Sequence, residues 1–180
     1  RYRPAVLYIN GQFWGIQNIR EKVNEHFISS HHSISPENID LLDINGVYDQ
    51  NIIHGSNTDY QNLINYLEVN DMNNNLVQNA IENWIDIDSY MSYQAFQIFI
   101  DNRDWPGNNI KFWRDHRNGG KWRWILYDTD FGFGIWNPSA YTFNTLAFAL
   151  QTDGPGWPNP PWSTFVFRKL MENDHFKIGK

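Results

Sequence analysis

Two carboxylates one residue apart, Asp128 and Asp130, stand at the end of the apolar run Ile125-Leu126-Tyr127, and Phe-Gly-Phe-Gly follows them. A second polar cluster lies upstream, Asn102-Arg103-Asp104-Trp105-Pro106-Gly107-Asn108-Asn109. A pair of carboxylates with a carboxamide oxygen is a hard donor set of the kind that binds Mg²⁺. A further carboxylate outside that set can orient a hydroxyl group and take its proton. Alternation along an extended strand would turn Asp128 and Asp130 to one face, where both reach one ion or each holds one of two. Glycines after them would let the backbone pass close to an anion with no Cβ in the way.

The order and spacing of the two clusters narrow this chemistry. Phosphoryl transfer by protein kinases uses a loop H-R-D-x-x-x-x-N after a helix, then a hairpin, then D-F-G. Arg103-Asp104 and Asn109 keep the interval of five positions from Asp to Asn, and Asp130-Phe131-Gly132 supplies the second motif. On this pattern Asp104 is the candidate base. Asn109, Asp128 and Asp130 are the candidate ligands for Mg²⁺ or Mn²⁺ holding ATP. The pattern has departures: Asn102 stands where many kinases have His, no A-P-E follows, and the two motifs lie farther apart than usual.

Each residue also has a purely structural reading. Asp128 and Asp130 could cap a turn, and Asn108 and Asn109 could be turn residues. Asp104 could simply accept hydrogen bonds from Arg103 or the backbone. Asp101 could end the preceding helix or be a rival base. His31-His32 suggest a metal pair, but no third ligand stands at a sensible interval, which favours a solvated loop. The Trp-rich stretch 157–162 reads as a carbohydrate platform or as Trp packed on its own domain.

These clusters need elements to hold them. Residues 5–9 and 12–19 read as two strands joined at Asn10-Gly11, a pair that accepts positive φ at both positions. Residues 22–29 could begin a helix, and 30–58 reads as polar and irregular around an apolar island at Ile39–Ile44. A helix capped by Thr58 or Asp59 turns Tyr60, Leu63, Ile64 and Leu67 inward. Asn-rich 70–75 breaks it, and 76–85 resumes with Leu76, Ala80, Ile81, Trp84 and Ile85. A third helix, capped by Asp86 or Asp88, runs to about Ile100 with Met91, Ala95, Ile98 and Phe99 inward. Residues 110–114 and 121–127 form a second hairpin around Asn118-Gly119-Gly120. After the Gly/Pro-rich loop 153–161, Ser163 caps a last helix with Val166, Phe167, Leu170 and Met171 inward. The class is α+β, with helices dominating the middle.

Composition fits one domain in 180 residues: 41% hydrophobic, 17% aromatic, 9 Trp. A net charge of −6 with no basic run argues against nucleic acid as the main partner. The absence of cysteine removes zinc-finger, thiol and disulfide chemistry. No apolar run approaches the ~18 residues of a membrane span.

With these motifs in view, the chain resembles the CotH kinase family, the spore-coat kinase-like proteins. LYINGQFWGIQNIREK (7–22) resembles the family's strand-turn-strand element ending in an acidic residue, and DNRDWPGNNIKFWRD (101–115) its catalytic segment. WILYDTDFGFG resembles its metal segment, and STFVFRKLMEND the helix near its C-terminal end. The resemblance implies an atypical protein-kinase-like fold, ATP with Mg²⁺ or Mn²⁺, and a Ser/Thr acceptor on a secreted or coat protein. It implies a single domain over 1–180, with 1–19 the end of the small lobe and 20–180 the large lobe. Arg20–Lys22 would be the hinge beside the adenine, with Glu21 binding the nucleotide. The expected phosphate-gripping Lys falls outside this stretch, so the domain reads as truncated at both ends and as binding ATP weakly by itself. The contrasting expectation, motivated by the Trp content, is a non-catalytic exported module for glycan or protein.

Overall fold

The computed structural model describes residues 2–44, 51–117, 119–152, 159–174 and 176. Arg1, Asn118 and most of the Gly/Pro-rich loop, with Trp157, lie outside them. The first hairpin forms as its turn chemistry dictates. Strands β1 (Tyr2–Ile9) and β2 (Gln12–Arg20) pair antiparallel. Asn10 and Gly11 both take positive φ, 51° and 79°, as a two-residue turn matched to strand twist requires. Among the described strands β1 and β2 pair only with each other, and both faces of the ribbon are largely exposed.

The segment 30–58 is more ordered than its polarity suggests. After helix α1 (Glu25–His32), capped by Asn24, the apolar island becomes strand β3 (Ile39–Ile44). It lies inside a four-stranded antiparallel sheet of order β4-β3-β5-β6, where β4 is Asn51–His54, β5 Ile110–Asp115 and β6 Arg123–Ile125. β3 is covered on both sides. Ile39 and Leu41 pack with Ile28 and Trp113 beneath α1, while Leu42 and Ile44 join the main core. A strand buried on both faces reads as a continuous apolar run, without the alternation that marks a half-exposed one. Its two acids are balanced across the register. Asp40 lies opposite Arg114 and Asp43 opposite Lys111, each pair bonded at 3.1 Å; Arg114 also pairs with Asp59.

The main core lies between that sheet and helices α2 (Thr58–Val69), α3 (Asn75–Trp84), α4 (Ile87–Phe99) and α6 (Phe165–Leu170). Its fully buried members include Leu42, Leu63, Leu67, Ile81, Phe112 and Trp122, each contributing roughly 1.5–3 kcal/mol relative to exposure. Several expected faces need correction. Leu76 is 76% exposed and Val77 turns inward instead; Ala95 and Phe99 of α4 are exposed, Phe99 by 78%. The buried face of α4 carries Tyr90, Tyr93, Gln94 and Gln97, polar groups that an apolar periodicity passes over. Thr164, not Ser163, precedes α6, and the Ser163 hydroxyl donates to the Pro160 carbonyl. Short elements inside 135–150, a 3-10 turn at Ala140–Thr142 and helix α5 (Thr145–Ala149), carry no clear sequence signal.

Candidate active site

The two polar clusters are brought together by the backbone that follows α4. Asp101 turns the chain out of the helix with φ +48°. Beyond it, the Arg103 N–H donates to the Phe131 carbonyl at 3.1 Å, and the Phe133 N–H donates to the Ile100 carbonyl at 2.6 Å. These two bonds fasten loop 101–109 to segment 131–133. Gly132 lies between them, where an added Cβ would sit 3.0 Å from the Ile100 carbonyl oxygen and 3.1 Å from its side chain. The glycine thus suits the closeness of two protein segments, where a side chain would make Ile100 yield. Gly134, at φ +73°, serves the next turn.

The expected strand geometry around the carboxylates is also corrected. Strand β6 ends at Ile125, and Asp128 adopts a left-handed conformation with φ +51°. Asp128 and Asp130 do not share a face by strand alternation. Their carboxyl groups nevertheless lie close enough for the charge of Asp130 to act on Asp128. Burial first, then the charge of Asp130, hydrogen bonding toward it and the charge of Asp104, push Asp128 above the ordinary carboxylate range; Arg20 at the end of β2 opposes them. Burial and the charge of Asp130 likewise raise Asp104. The acids from both loops thus lie within one another's field.

Asn109 and Asp104 are paired directly. Asn109, at φ +55°, donates from Nδ2 to Oδ2 of Asp104 at 3.1 Å. Asp104 is anchored from behind as well: its N–H donates to Oδ1 of the buried Asn102 at 3.2 Å. The intervening Trp105-Pro106 peptide is cis, and Trp105 is buried in the main core.

Arg103 and Asp101 are occupied structurally. The guanidinium lies over the rings of Phe143, Trp136 and Phe148 at 3.9, 4.5 and 5.1 Å. It donates to Oδ1 of Asp101 at 3.4 Å, and that oxygen also accepts the Thr145 hydroxyl at 2.6 Å. Asp101 is therefore a tie between loop 101–109 and α5 through Oδ1, while its buried Oδ2 has no hydrogen-bond partner among the described residues. Phe99, Asp101, Phe133 and Tyr141 border an adjoining open cavity of about 350 Å³.

Asp104, Asn109, Asp128 and Asp130 are thus brought into one neighbourhood. Glu21 follows Arg20 in the segment after β2, its carboxylate 3.8 Å from His31 of α1. His31 Nδ1 is engaged with the Phe27 carbonyl, and the His32 ring lies tilted against Trp113 with ring centres 4.6 Å apart. Trp162 is half-buried against the main core. Among the described residues no group of three or more His, Cys, Asp and Glu could by itself hold a metal ion. A metal here would need the mixed set of Asp128, Asp130 and the Asn109 carboxamide. That set fits a hard cation: all donors are oxygens, and mutual repulsion of the acids is what a divalent ion would relieve. The sequence reading missed Asn102 as an anchor and Arg20 as the nearby cation. Asn102 was visible only as a departure from the His of the kinase pattern.

The family model for CotH kinase protein matches residues 1–178. No curated protein and no solved structure gives a match.

Proposed function

The chain belongs to the CotH kinase family, and from that membership we propose that it transfers the terminal phosphoryl group of ATP to a Ser or Thr hydroxyl of a protein acceptor. The observation that carries this reading is the convergence of Asp104 with Asp128 and Asp130, acids from two separate loops that perturb one another. Protein-kinase chemistry requires two such carboxylate positions, one to orient the acceptor hydroxyl and one to hold metal-bound phosphates.

In this reading Asp104 accepts the hydroxyl proton. Its carboxylate is oriented by Asn109 and its backbone by Asn102, so little reorganisation is needed when the acceptor arrives. Asp128, Asp130 and the carboxamide oxygen of Asn109 would hold Mg²⁺ or Mn²⁺. Bound there, the ion would neutralise phosphate charge and favour the ionised form of Asp128. Arg103, enclosed by aromatic rings, keeps loop 101–109 in register with segment 131–133. Within this proposal the α+β arrangement supports a kinase-like large lobe over 20–180, with the 1–19 hairpin ending a small lobe and Glu21 near the nucleotide. No helix among the described residues is long and apolar enough to cross a membrane, and the family name is consistent with an acceptor on an exported or coat protein.

The test is ATP turnover and phosphate incorporation in the natural full-length protein, beside Asp104→Asn and Asp130→Asn. Loss of transfer in both variants, with folding retained, is the expected result. Equal rates in all three proteins would end the proposal and favour the non-catalytic binding module.

A further inference from the structure

Asn102 is 1% exposed, and its N–H and both polar atoms of its side chain are bonded. Its N–H donates to the Gln97 carbonyl at 3.2 Å, and its Nδ2 to Oε1 of Gln97 at 2.9 Å. Its Oδ1 accepts the Asp104 N–H at 3.2 Å. Gln97 is also 1% exposed, and its Nε2 donates to the Tyr93 hydroxyl at 3.0 Å. A relay of buried polar groups therefore runs from Tyr93, one turn at a time up α4, through Gln97 and Asn102 to the backbone of Asp104. Tyr93 and Gln97 are four residues apart on one helical face, and Asn102 follows where the chain leaves the helix.

Such a relay is a costly way to fill a helix face. Burying an amide pair stabilises little net, and losing either partner leaves the other unsatisfied at about 1–3 kcal/mol. Apolar residues would fill the same space without that liability. What the relay adds is direction: a carboxamide bonded on both ends has one orientation, and the N–H it accepts is fixed with it. We propose that Asn102 is a positioning residue for phosphoryl transfer. It sets the Asp104 backbone through this amide relay while Asn109 sets the carboxylate. The proposal rests on reading Asp104 as the base.

Two readouts test it in the natural full-length protein: steady-state kinetics with ATP, and hydrogen exchange at the Asp104 amide. Asn102→Ala should lower kcat about tenfold to a hundredfold with KM for ATP changed less than about twofold, as expected when geometry is lost. The Asp104 amide should exchange at least about tenfold faster. Tyr93→Phe removes the terminal acceptor without changing volume and should move both quantities in the same direction by less. If Asn102→Ala keeps wild-type kcat and amide protection while Asp104→Asn abolishes transfer, the proposal is overturned. If Asp104→Asn leaves turnover unchanged, the catalytic reading fails instead, and the relay is then judged by exchange alone, where unchanged protection overturns it. Should Asn102→Ala not fold, unchanged rate and exchange in Tyr93→Phe overturn it.

Discussion

Asn109 holds Asp104 by a single bond, Nδ2 to Oδ2 at 3.1 Å. It does so from a left-handed backbone, φ +55°, a conformation that asparagine tolerates better than most residues. The bond leaves Oδ1 of Asn109 available and leaves Asp104 one oxygen for an incoming hydroxyl. Asp104→Asn should therefore lower kcat by about 10²–10⁴, with KM for ATP nearly unchanged. Steady-state kinetics on the purified full-length protein measures the split. A fall confined to KM would contradict a proton-accepting role.

If Asp128 is a metal ligand as proposed, its raised carboxyl would make metal binding pH-dependent. Its native value lies above the ordinary ~3.9 of a free aspartate. A raised acid contributes stability that is fully present below its unfolded value and is lost as pH rises through the native value. Without metal, thermal stability should decline as pH climbs above about 4 because of this group. Mn²⁺ should restore it at neutral pH and do little in acid, since a metal ligand must be ionised to bind. Asp128→Asn should flatten both responses. Calorimetric melting across pH, with Mn²⁺ or with chelator, checks the sign.

Gly132→Ala would drive a methyl group to 3.0 Å from the Ile100 carbonyl oxygen, between the two backbone bonds that join the loops. Backbone on both sides has little room to yield. The expected loss is about 1–3 kcal/mol of unfolding free energy, read from a urea titration, together with reduced turnover. A fully stable and active Gly132→Ala variant would show that the junction is looser than it looks.

Arg103→Ala should cost about 3 kcal/mol, because it empties an aromatic enclosure and leaves the largely buried Asp101 with only the Thr145 hydroxyl. Arg103→Lys keeps the charge but not the planar stacking surface and should recover less than half of the loss. Denaturant melts of the two variants, compared with a Thr145→Val control, separate stacking from pairing.

Much of the fold was legible because it is local. Asn10-Gly11 specifies its turn by the φ values it accepts, Asp86 caps α4 as its position before the helix suggests, and Leu63 and Leu67 mark the buried side of α2. β3 was not legible as a strand, because burial on both faces erases alternation. The buried side of α4 was not legible either. Tyr93, Gln97 and Asn102 are inside only because they satisfy one another, and no hydropathy pattern expresses that.

The candidate site divides along the same line. Residue type and spacing alone marked Asp104, Asn109, Asp128 and Asp130 as one constellation, since an oxygen-rich donor set and a spare carboxylate are chemical requirements readable from side-chain identity. Spacing also suggested a reason for their closeness, alternation along a strand, and that reason was wrong. Asp128 lies past the end of β6 in a left-handed turn. Its meeting with Asp130, the field of Asp104 and the tie through Phe131 and Ile100 all depend on packing α4 against the segment after the sheet. Such contacts join residues distant in sequence, so their energies are set by which surfaces the whole chain buries. Local propensity determined which groups were available; only the tertiary structure decided which of them face one another.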